Sequence, residues 1–283
     1  MRFVTFALDD AVPRVGVLSQ DRVYDLSNDF ADMITLLAAG PDSLAIADRR
    51  MQETPGSLLH HVRLLAPVAP PRFFCIGLNY ANHAAESQMK VQTVPTVFMK
   101  LVSSVTGPDT DVVLPFNSTE PDYEAELAVV IGKPGYRIQA ADWEQHVFGY
   151  TILNDVSARD IQLATSQWTL GKSYPTFAPL GPAITSRDDI PDPHTLAIRL
   201  TLNGEVLQDS NTSFLIFRIP QLIEYISAYT PLQTGDIIST GTPEGVGLGR
   251  TPKRWIRDGE EMVITIEGLG ELRNRATREA SGT

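Results

Sequence analysis

Residues 122–131 have the sequence DYEAELAVVI, which predicts a buried β-strand with acidic side chains at its start. Asp122, Glu124 and Glu126 occupy alternate positions, and alternate side chains of a strand share one face. If that face is buried, neighbouring carboxylates need a compensating cation. A solvated strand face is the commoner origin of such a pattern, so this stretch alone leaves both interpretations open.

A third acid follows the next predicted strand. Val147–Leu153 is apolar and leads into Asn154 and Asp155. Ser157 and Asp160 have the spacing of a helix N-terminal cap, so we expect Asp155 to lie where a strand meets a helix. Three carboxylates form an all-oxygen set that suits Mg²⁺ or Mn²⁺, with Ca²⁺ as a further option. The five histidines lack the spacing of a zinc site.

Short β-like runs separated by turn residues dominate the rest of the chain. Asn203-Gly204 lies between two such runs and predicts a hairpin, because both residues tolerate positive φ. Pro220–Tyr229 has the apolar spacing of a helix and begins with proline. Since no regular βαβ alternation occurs, the sequence predicts a β-rich α+β fold. The other predicted strands are Arg2–Leu8, Arg14–Leu18, Arg72–Gly77, Thr96–Met99, Thr195–Leu202, Asp236–Thr240, Glu261–Glu267 and Gly270–Arg275.

A proline-rich connector, APVAPP at residues 66–71, predicts a domain boundary, because such a segment is stiff and unsuited to regular structure. We expect a small N-terminal α+β domain over residues 1–65, with helices at Asp29–Ala39 and Asp42–Met51. Residues 72–283 then form the larger C-terminal domain, which carries all three acids discussed above.

The composition narrows the possible partners and compartments. The 283 residues carry a formal net charge of -11, which disfavours binding to nucleic acid or to an anionic membrane. One cysteine permits no intrachain disulfide, as is usual in a reducing cytosol. The start MRFVTFALDD lacks the pattern of a signal peptide, and no run reaches the roughly 18–20 apolar residues of a membrane helix. We therefore expect a cytoplasmic protein without nucleic-acid or membrane partners.

Five segments together resemble a known family. They are GLNYANH (77–83), YEAEL (123–127), NDVSARD (154–160), GKS (171–173) and TGTPEGVG (240–247). Over roughly residues 70–275 the chain resembles the fumarylacetoacetate hydrolase family, whose segments come in this order. The resemblance implies a mixed β-roll with a central barrel-like sheet, a catalytic domain over residues 72–283 and a homodimer.

The resemblance also assigns roles to individual residues. It implies that Glu124, Glu126 and Asp155 bind Mg²⁺ or Mn²⁺, and that Lys172 faces the keto-acid end of a small anionic substrate. The residues expected to contact the substrate are Gln162, Thr242, Lys100 and Arg159. Arg159 has an equally good interpretation as a structural residue. At Lys100 the chain departs from the family, because Leu101 follows where many relatives have proline.

His83 and Glu86 lie three residues apart in Asn82–Gln88, which is predicted to be a short helix that presents both on one face. A carboxylate beside an imidazole orients it and raises its basicity, which favours a general base. The residues alone suggest an ordinary surface pair. The resemblance favours a catalytic dyad instead, because related hydrolases place such a pair over the metal.

With the resemblance, these residues predict a hydrolase that cleaves the C–C bond of a 2,4-dioxo acid of the acylpyruvate type. The products would be pyruvate and a carboxylic acid, with water activated by His83. One alternative is an isomerase, hydratase or decarboxylase that acts on a 2-keto diacid through the same metal-stabilised enolate. A binding protein without activity is a third interpretation, and the retained acids, lysine and dyad argue against it.

Overall fold

The computed structural model describes residues 1–9, 12–86 and 92–279. The strands are β1 (Arg2–Ala7), β2 (Arg14–Ser19), β3 (Arg22–Asp25), β4 (Ser57–Leu58), β5 (Arg63–Leu65), β6 (Phe73–Gly77), β7 (Thr96–Met99), β8 (Val105–Thr106), β9 (Val112–Leu114), β10 (Pro121–Asp122), β11 (Ala125–Ile131), β12 (Val147–Asn154), β13 (Ser157–Ala158), β14 (Ala178–Ser186), β15 (Ala197–Leu202), β16 (Glu205–Asn211), β17 (Ile237–Ser239), β18 (Glu261–Ile266) and β19 (Gly270–Arg278). The α-helices are α1 (Met33–Ala38), α2 (Pro41–Glu53), α3 (Ala81–Glu86), α4 (Arg159–Gln162) and α5 (Ile219–Tyr229).

The largest sheet of the described residues has twelve strands. Its main path runs β4-β3-β2-β1-β14-β12-β11-β17-β6-β7, and within those residues the path does not close into a barrel. Most neighbours are antiparallel, whereas β17 and β6 are parallel, so the sheet is mixed. A second sheet has the order β16-β15-β18-β19-β9. The β-rich α+β class is therefore confirmed.

Strand β11 is buried on both faces, which explains its unbroken apolar sequence. Leu127 and Val129 belong to a core that they share with Ile264 of the second sheet. Ala128 points to the opposite face and belongs to a core shared with Phe3 of β1. The strand that begins with the acids is therefore held between two hydrophobic layers, and water is excluded from most of its length.

The strands of the first 65 residues extend the same sheet. Strand β1 pairs with β14, with Arg2 opposite Thr185 and Phe3 opposite Ile184. The division into residues 1–65, 66–71 and 72–283 stays a prediction. Within the described ranges, no helix combines the length and the apolar character that crossing a bilayer requires.

Several predicted elements match the structure, and others differ for local reasons. The hairpin at Asn203-Gly204 is confirmed, with φ of 50° and 79° at the two residues. Helix α1 begins at Met33 rather than Asp29, because the Asp32 carboxylate accepts a hydrogen bond from Thr35 N and caps the helix there. The dyad helix ends at Glu86 in the described part, and residues 87 and 88 of its predicted range lie outside that part.

The predicted helix cap at Ser157 is wrong. Ser157 belongs to strand β13, its hydroxyl donates to the Asp155 carbonyl, and helix α4 has no side-chain cap. Asp160 instead accepts hydrogen bonds from Ser118 Oγ and Thr119 N. The Asp160 carboxylate, which the local spacing placed in the helix cap, therefore binds a loop that is distant in sequence.

Candidate metal centre

The three acids meet where β11 and β12 pair. The predicted strand 122–131 is interrupted at residues 123–124, so Asp122 belongs to the short strand β10 and Glu124 to the gap before β11. Across the gap, Asp155 N donates to the Glu124 carbonyl (2.9 Å), and Glu124 N donates to Asn154 Oδ1 (3.1 Å). These bonds place the side chains of Glu124 and Asp155 beside Glu126.

Glu124, Glu126 and Asp155 each offer a carboxylate oxygen, and these oxygens lie within 4.8 Å of one another. The three residues are buried, with exposed fractions of 3%, 2% and 0%. Carboxylate oxygens are hard ligands, which Mg²⁺ and Mn²⁺ accept. Three such ligands in one buried cluster fit a divalent cation, both in charge and in donor chemistry.

Buried cations already surround two of these acids. Lys172 Nζ donates to Glu124 Oε2 (2.8 Å) and to Asp155 Oδ2 (2.9 Å), while Lys100 Nζ donates to Asp155 Oδ1 (2.6 Å). Burial would raise the pKa of Glu124, but the positive charges of Lys172 and Arg159 outweigh burial and lower this pKa to about 2. Burial lowers the pKa of Lys172 less than Asp155 and Glu124 raise it, so Lys172 stays an ammonium ion.

Glu126 has a different environment. Its Oε2 accepts hydrogen bonds from the Ser239 hydroxyl and from Gly241 N, which are both uncharged donors. Burial, together with the negative charges of Asp155 and Glu124, raises the pKa of Glu126 well above its ordinary value. A divalent cation beside this carboxylate would supply the charge that its hydrogen-bond partners lack.

The His83–Glu86 pair forms as predicted, with His83 buried and Glu86 half-buried. His83 Nδ1 lies 2.9 Å from Glu86 Oε1, and the His83 residue is 6% exposed. The second Glu86 oxygen accepts a hydrogen bond from Gly245 N (2.9 Å). An ordinary surface pair would not have this burial or this backbone contact. The structure therefore places an oriented imidazole in the interior.

One cavity brings most of the predicted site residues together. Its apolar wall includes Phe98, whose ring lies 5.3 Å from Lys172 Nζ, and Trp168, which packs against Phe98 at 5.4 Å. The predicted site residues that line this cavity are His83, Glu124, Glu126, Arg159, Gln162, Lys172 and Thr242. The further lining residues are Ile76, Gly77, Leu78, Phe98, Leu163, Trp168 and Leu248.

Lys100 and Thr242 both make hydrogen bonds within the protein, and only Thr242 lines the cavity. Lys100 lies behind Asp155, where it also donates to the carbonyls of Val156 and Lys172, and it is not a lining residue of the cavity. Thr242 lines the cavity, but its hydroxyl donates to the Ala125 carbonyl (2.9 Å). Their predicted contact with substrate stays a prediction.

The sequence did not reveal the role of Asp122 or the place of Phe98 in the cavity wall, although residues 166–168 were expected to contribute to that wall and Trp168 does. Asp122 is fully buried and pairs with Arg159 Nε (2.8 Å) rather than sharing a face with Glu124 and Glu126. Arg159 Nη2 lies 2.7 Å from Glu124 Oε1, as a close ion pair without the alignment of a hydrogen bond. Asp122 is thus joined to the metal centre through Arg159. The sequence feature that could have indicated this ion pair is an acid at position 122 together with Arg159, the basic residue of the NDVSARD segment.

Comparison with known proteins settles the family. The model of the fumarylacetoacetate (FAA) hydrolase C-terminal family matches residues 72–277. The chain belongs to this family. It is 43% identical, over 86% of its own length and 79% of the relative's, to the protein named oxaloacetate tautomerase Fahd2a, mitochondrial, of Rattus norvegicus. The family resemblance of the sequence is therefore confirmed.

Two solved structures extend the comparison within the family. A maleylpyruvate hydrolase from Sphingobium sp. SYK-6, in complex with manganese(II) and pyruvate, has a TM-score of 0.85 and 32% identity. A 5-carboxymethyl-2-hydroxymuconate delta-isomerase from Mycobacterium smegmatis has a TM-score of 0.81 and 34% identity. Each comparison covers 99% of this chain and 100% of the other. Proteins of this family with similar folds and sequences are thus named as hydrolases, isomerases and tautomerases.

The predicted cytoplasmic location is wrong. The relatives from rat, cattle and human, at 43% identity, are all named as mitochondrial proteins. A single cysteine fits a reducing compartment but does not distinguish one such compartment from another.

Proposed function

We propose that the protein is a divalent-metal-dependent enzyme that interconverts the keto and enol forms of a small 2-oxo diacid, such as oxaloacetate. The observation that carries the proposal is the shared cavity, which is lined by an oriented imidazole, a buried ammonium and two of the three clustered carboxylates, Glu124 and Glu126. The tautomerase name of a relative at 43% identity supports this reaction. Keto–enol exchange requires one group that moves a proton and a positive field that stabilises the enolate oxygen.

The positive electrostatic field would come from the side of the cavity that holds the predicted metal ligands. Glu124, Glu126 and Asp155 would hold Mg²⁺ or Mn²⁺, which when bound polarises the 2-oxo and carboxylate oxygens of a keto acid. Lys172 and Arg159 are buried cations at the same end. They would bind the anionic substrate and favour the enolate over the ketone, because burial strengthens their charge interactions.

The proton would be moved by His83. An ionised Glu86 can only accept hydrogen bonds, so His83 Nδ1 carries the hydrogen and Nε2 remains the basic atom. With the carbonyl end of the substrate held by Lys172, His83 Nε2 would take the proton from the carbon next to the ketone and deliver it to the enolate oxygen, which gives the enol. The reverse transfer, from the enol oxygen to the carbon, restores the ketone. Glu86 stabilises the imidazolium that forms in between.

Hydrolysis of a 2,4-dioxo acid of the acylpyruvate type is a second candidate. In that reaction His83 would deprotonate water for attack on the distal carbonyl, and the same enolate would leave as pyruvate. The similar structure of maleylpyruvate hydrolase, with its manganese and pyruvate, supports this candidate. Assembly as a homodimer stays a prediction.

The test combines metal removal with a matched pair of histidine variants. Protein stripped with EDTA and reloaded with Mn²⁺ or Mg²⁺ is assayed for oxaloacetate enolisation and for pyruvate release from acylpyruvates. We expect metal-dependent enolisation that His83→Ala slows by about 100-fold or more. His61→Ala, on an exposed residue, is the control and should retain full activity. Full activity of His83→Ala, or activity that survives EDTA unchanged, would refute the proposal, whereas metal-dependent pyruvate release without enolisation would favour the hydrolase.

A further inference from the structure

The loop Glu244–Arg250 contacts the dyad and contributes Leu248 to the cavity wall, and the buried carboxylate of Asp122 holds the loop there. We propose that Asp122 is a positioning residue: through this loop it fixes the His83–Glu86 pair relative to the metal centre. The inference rests on the proposed function, since it assigns His83 the proton transfer. Asp122 itself is not a lining residue of the cavity.

Asp122 uses both carboxylate oxygens on the loop. Its Oδ1 accepts a hydrogen bond from Gly247 N (2.7 Å), and its Oδ2 accepts one from Leu248 N (3.0 Å). Oδ2 also accepts from Arg159 Nε at 2.8 Å. A fully buried carboxylate with a guanidinium and two loop amides as partners is well stabilised. These hydrogen bonds connect the loop to a residue that is more than 120 positions earlier in the chain and directly precedes the segment with Glu124 and Glu126.

The same loop contacts the dyad from two directions. Gly245 N donates to Glu86 Oε2 (2.9 Å), and Gly249 packs so closely that an added Cβ would lie 2.6 Å from Glu86 Cδ. At the loop's first residue, the Glu244 carboxylate accepts a hydrogen bond from Asn82 Nδ2 of the dyad helix (3.1 Å). Helix α3 has six residues in the described part, so contacts of this kind set its orientation.

The loop is itself rigidly built. Gly245 has a φ of +102°, and a Cβ there would lie 2.1 Å from the Leu207 carbonyl. Arg250 donates to the carbonyls of both Gly245 (3.1 Å) and Leu207 (2.6 Å). A displacement at Gly247 is therefore passed along the backbone to Gly245 rather than absorbed, and Glu86 follows.

Asp122 also controls the other side of the cavity through Arg159. The guanidinium that Asp122 holds donates to Gln162 Oε1 (2.9 Å) and lies 2.7 Å from Glu124 Oε1. One carboxylate thus fixes the dyad loop and the cationic end of the substrate cavity in a common frame. In Asp122→Asn, an amide NH₂ would replace one acceptor and would face N–H donors, so the frame would loosen at both contacts.

A double-mutant cycle tests whether Asp122 acts through His83. In the Mn²⁺-loaded enzyme, we expect Asp122→Asn to lower kcat by about 10–100-fold, as loss of a supporting contact does, while Mn²⁺ affinity changes by less than about threefold. In the His83→Ala background, Asp122→Asn should lower kcat by much less than in the wild type, because only the contact through Arg159 is then left to lose. Asp236→Asn is the matched control. Asp236 is fully buried and pairs with Arg72 outside the cavity, so this variant should lose thermal stability and keep its kcat.

A second variant keeps the proposal testable if Asp122→Asn does not fold. Gly249→Ala leaves Asp122 intact and pushes the Glu86 side chain aside, so it should lower kcat with the same non-additivity against His83→Ala. The NMR signal of His83 Nδ1–H should shift in Asp122→Asn and Gly249→Ala but not in Asp236→Asn. An equal loss of kcat in both His83 backgrounds, or an unmoved His83 signal, would overturn the positioning role. Full activity of His83→Ala alone would refute the proposed function, and the NMR signal would still decide the role of the loop.

Discussion

The two sides of the cavity are built in different ways. The metal side lies on β11 and at the end of β12, strands that pair over their length and are buried on both faces. The dyad side lies on α3, of which the structure describes six residues, and the loop Glu244–Arg250 joins it to the rest of the site. The carboxylates are held by the core of the protein, and the imidazole is held by a few polar contacts.

This difference follows from what each side must do. Clustered buried carboxylates repel one another. They therefore need a rigid backbone and buried positive charges close by. A group that moves a proton needs a set orientation, and small displacements there change the rate more than the stability. We therefore expect substitutions on the metal side to alter metal affinity and stability together, whereas substitutions on the dyad side should alter turnover alone.

The largest effect is expected for Glu126→Gln on the metal side. Removal of one of three ligand charges should weaken Mn²⁺ binding and lower turnover by about 100-fold or more, beyond the loss from a supporting contact. Calorimetric titration with Mn²⁺ and steady-state kinetics on the same preparation measure both quantities. The rise in Tm that Mn²⁺ produces in the wild type should also be lost.

Glu205→Gln is the control for this variant. It makes the same chemical change on an exposed residue of β16, outside the acid cluster, and should behave as the wild type. Wild-type Mn²⁺ affinity in Glu126→Gln would show that the cluster binds no metal through this residue, and the contrast between the two sides would then lose its basis.

A smaller effect, confined to turnover, is expected for Glu86→Gln on the dyad side. The amide oxygen can still accept from Gly245 N, but the amide nitrogen would then face His83 Nδ1 and favour the wrong tautomer. We expect kcat to fall by about 10–100-fold with Mn²⁺ affinity and Tm close to those of the wild type. A matching loss of Mn²⁺ affinity would mean that the two sides are one unit rather than two.

The same difference decided what could be predicted from the sequence. The apolar run after Glu126 indicates a buried strand by itself, and the cluster of Glu124, Glu126 and Asp155 follows from acids placed at strand starts and ends. Asp122 has the same alternate spacing, yet it pairs with Arg159. The interruption at residues 123–124 depends on pairing with residues beyond position 150, which no local pattern contains.

Contacts distant in sequence also explain the wrong helix cap. Ser157 and Asp160 satisfy the cap spacing, but the loop at Ser118 supplies a better set of donors for Asp160. The contact between Glu86 and Gly245 likewise joins residues 159 positions apart. Local spacing identifies which side chains are chemically suitable, and the tertiary structure decides which of them meet.

The smallest effect is expected for the pH dependence of the stability of the metal-free protein. Without a cation, the buried charge of Glu126 should destabilise the folded state. Burial and the neighbouring acids raise the pKa of Glu126, so the folded protein binds more protons there than the unfolded chain. Stability must then fall as the pH rises above the unfolded value of about 4.3, until the raised folded pKa is passed. Gln at this position carries no proton to lose, and the variant escapes this fall.

In EDTA, Glu126→Gln and the wild type should therefore have similar Tm values near pH 4.5, and the variant should be the more stable of the two by at least about 2 °C at pH 7.5. Thermal unfolding followed by circular dichroism measures the difference, with Glu205→Gln as the reference for a pH-independent effect. Addition of Mn²⁺ at pH 7.5 should reverse the order, because only the wild type then gains the binding free energy. If the difference in Tm between Glu126→Gln and the wild type were constant across the pH range, ionisation of Glu126 would not destabilise the folded protein. The contrast in stability between the metal side and the dyad side would then be lost.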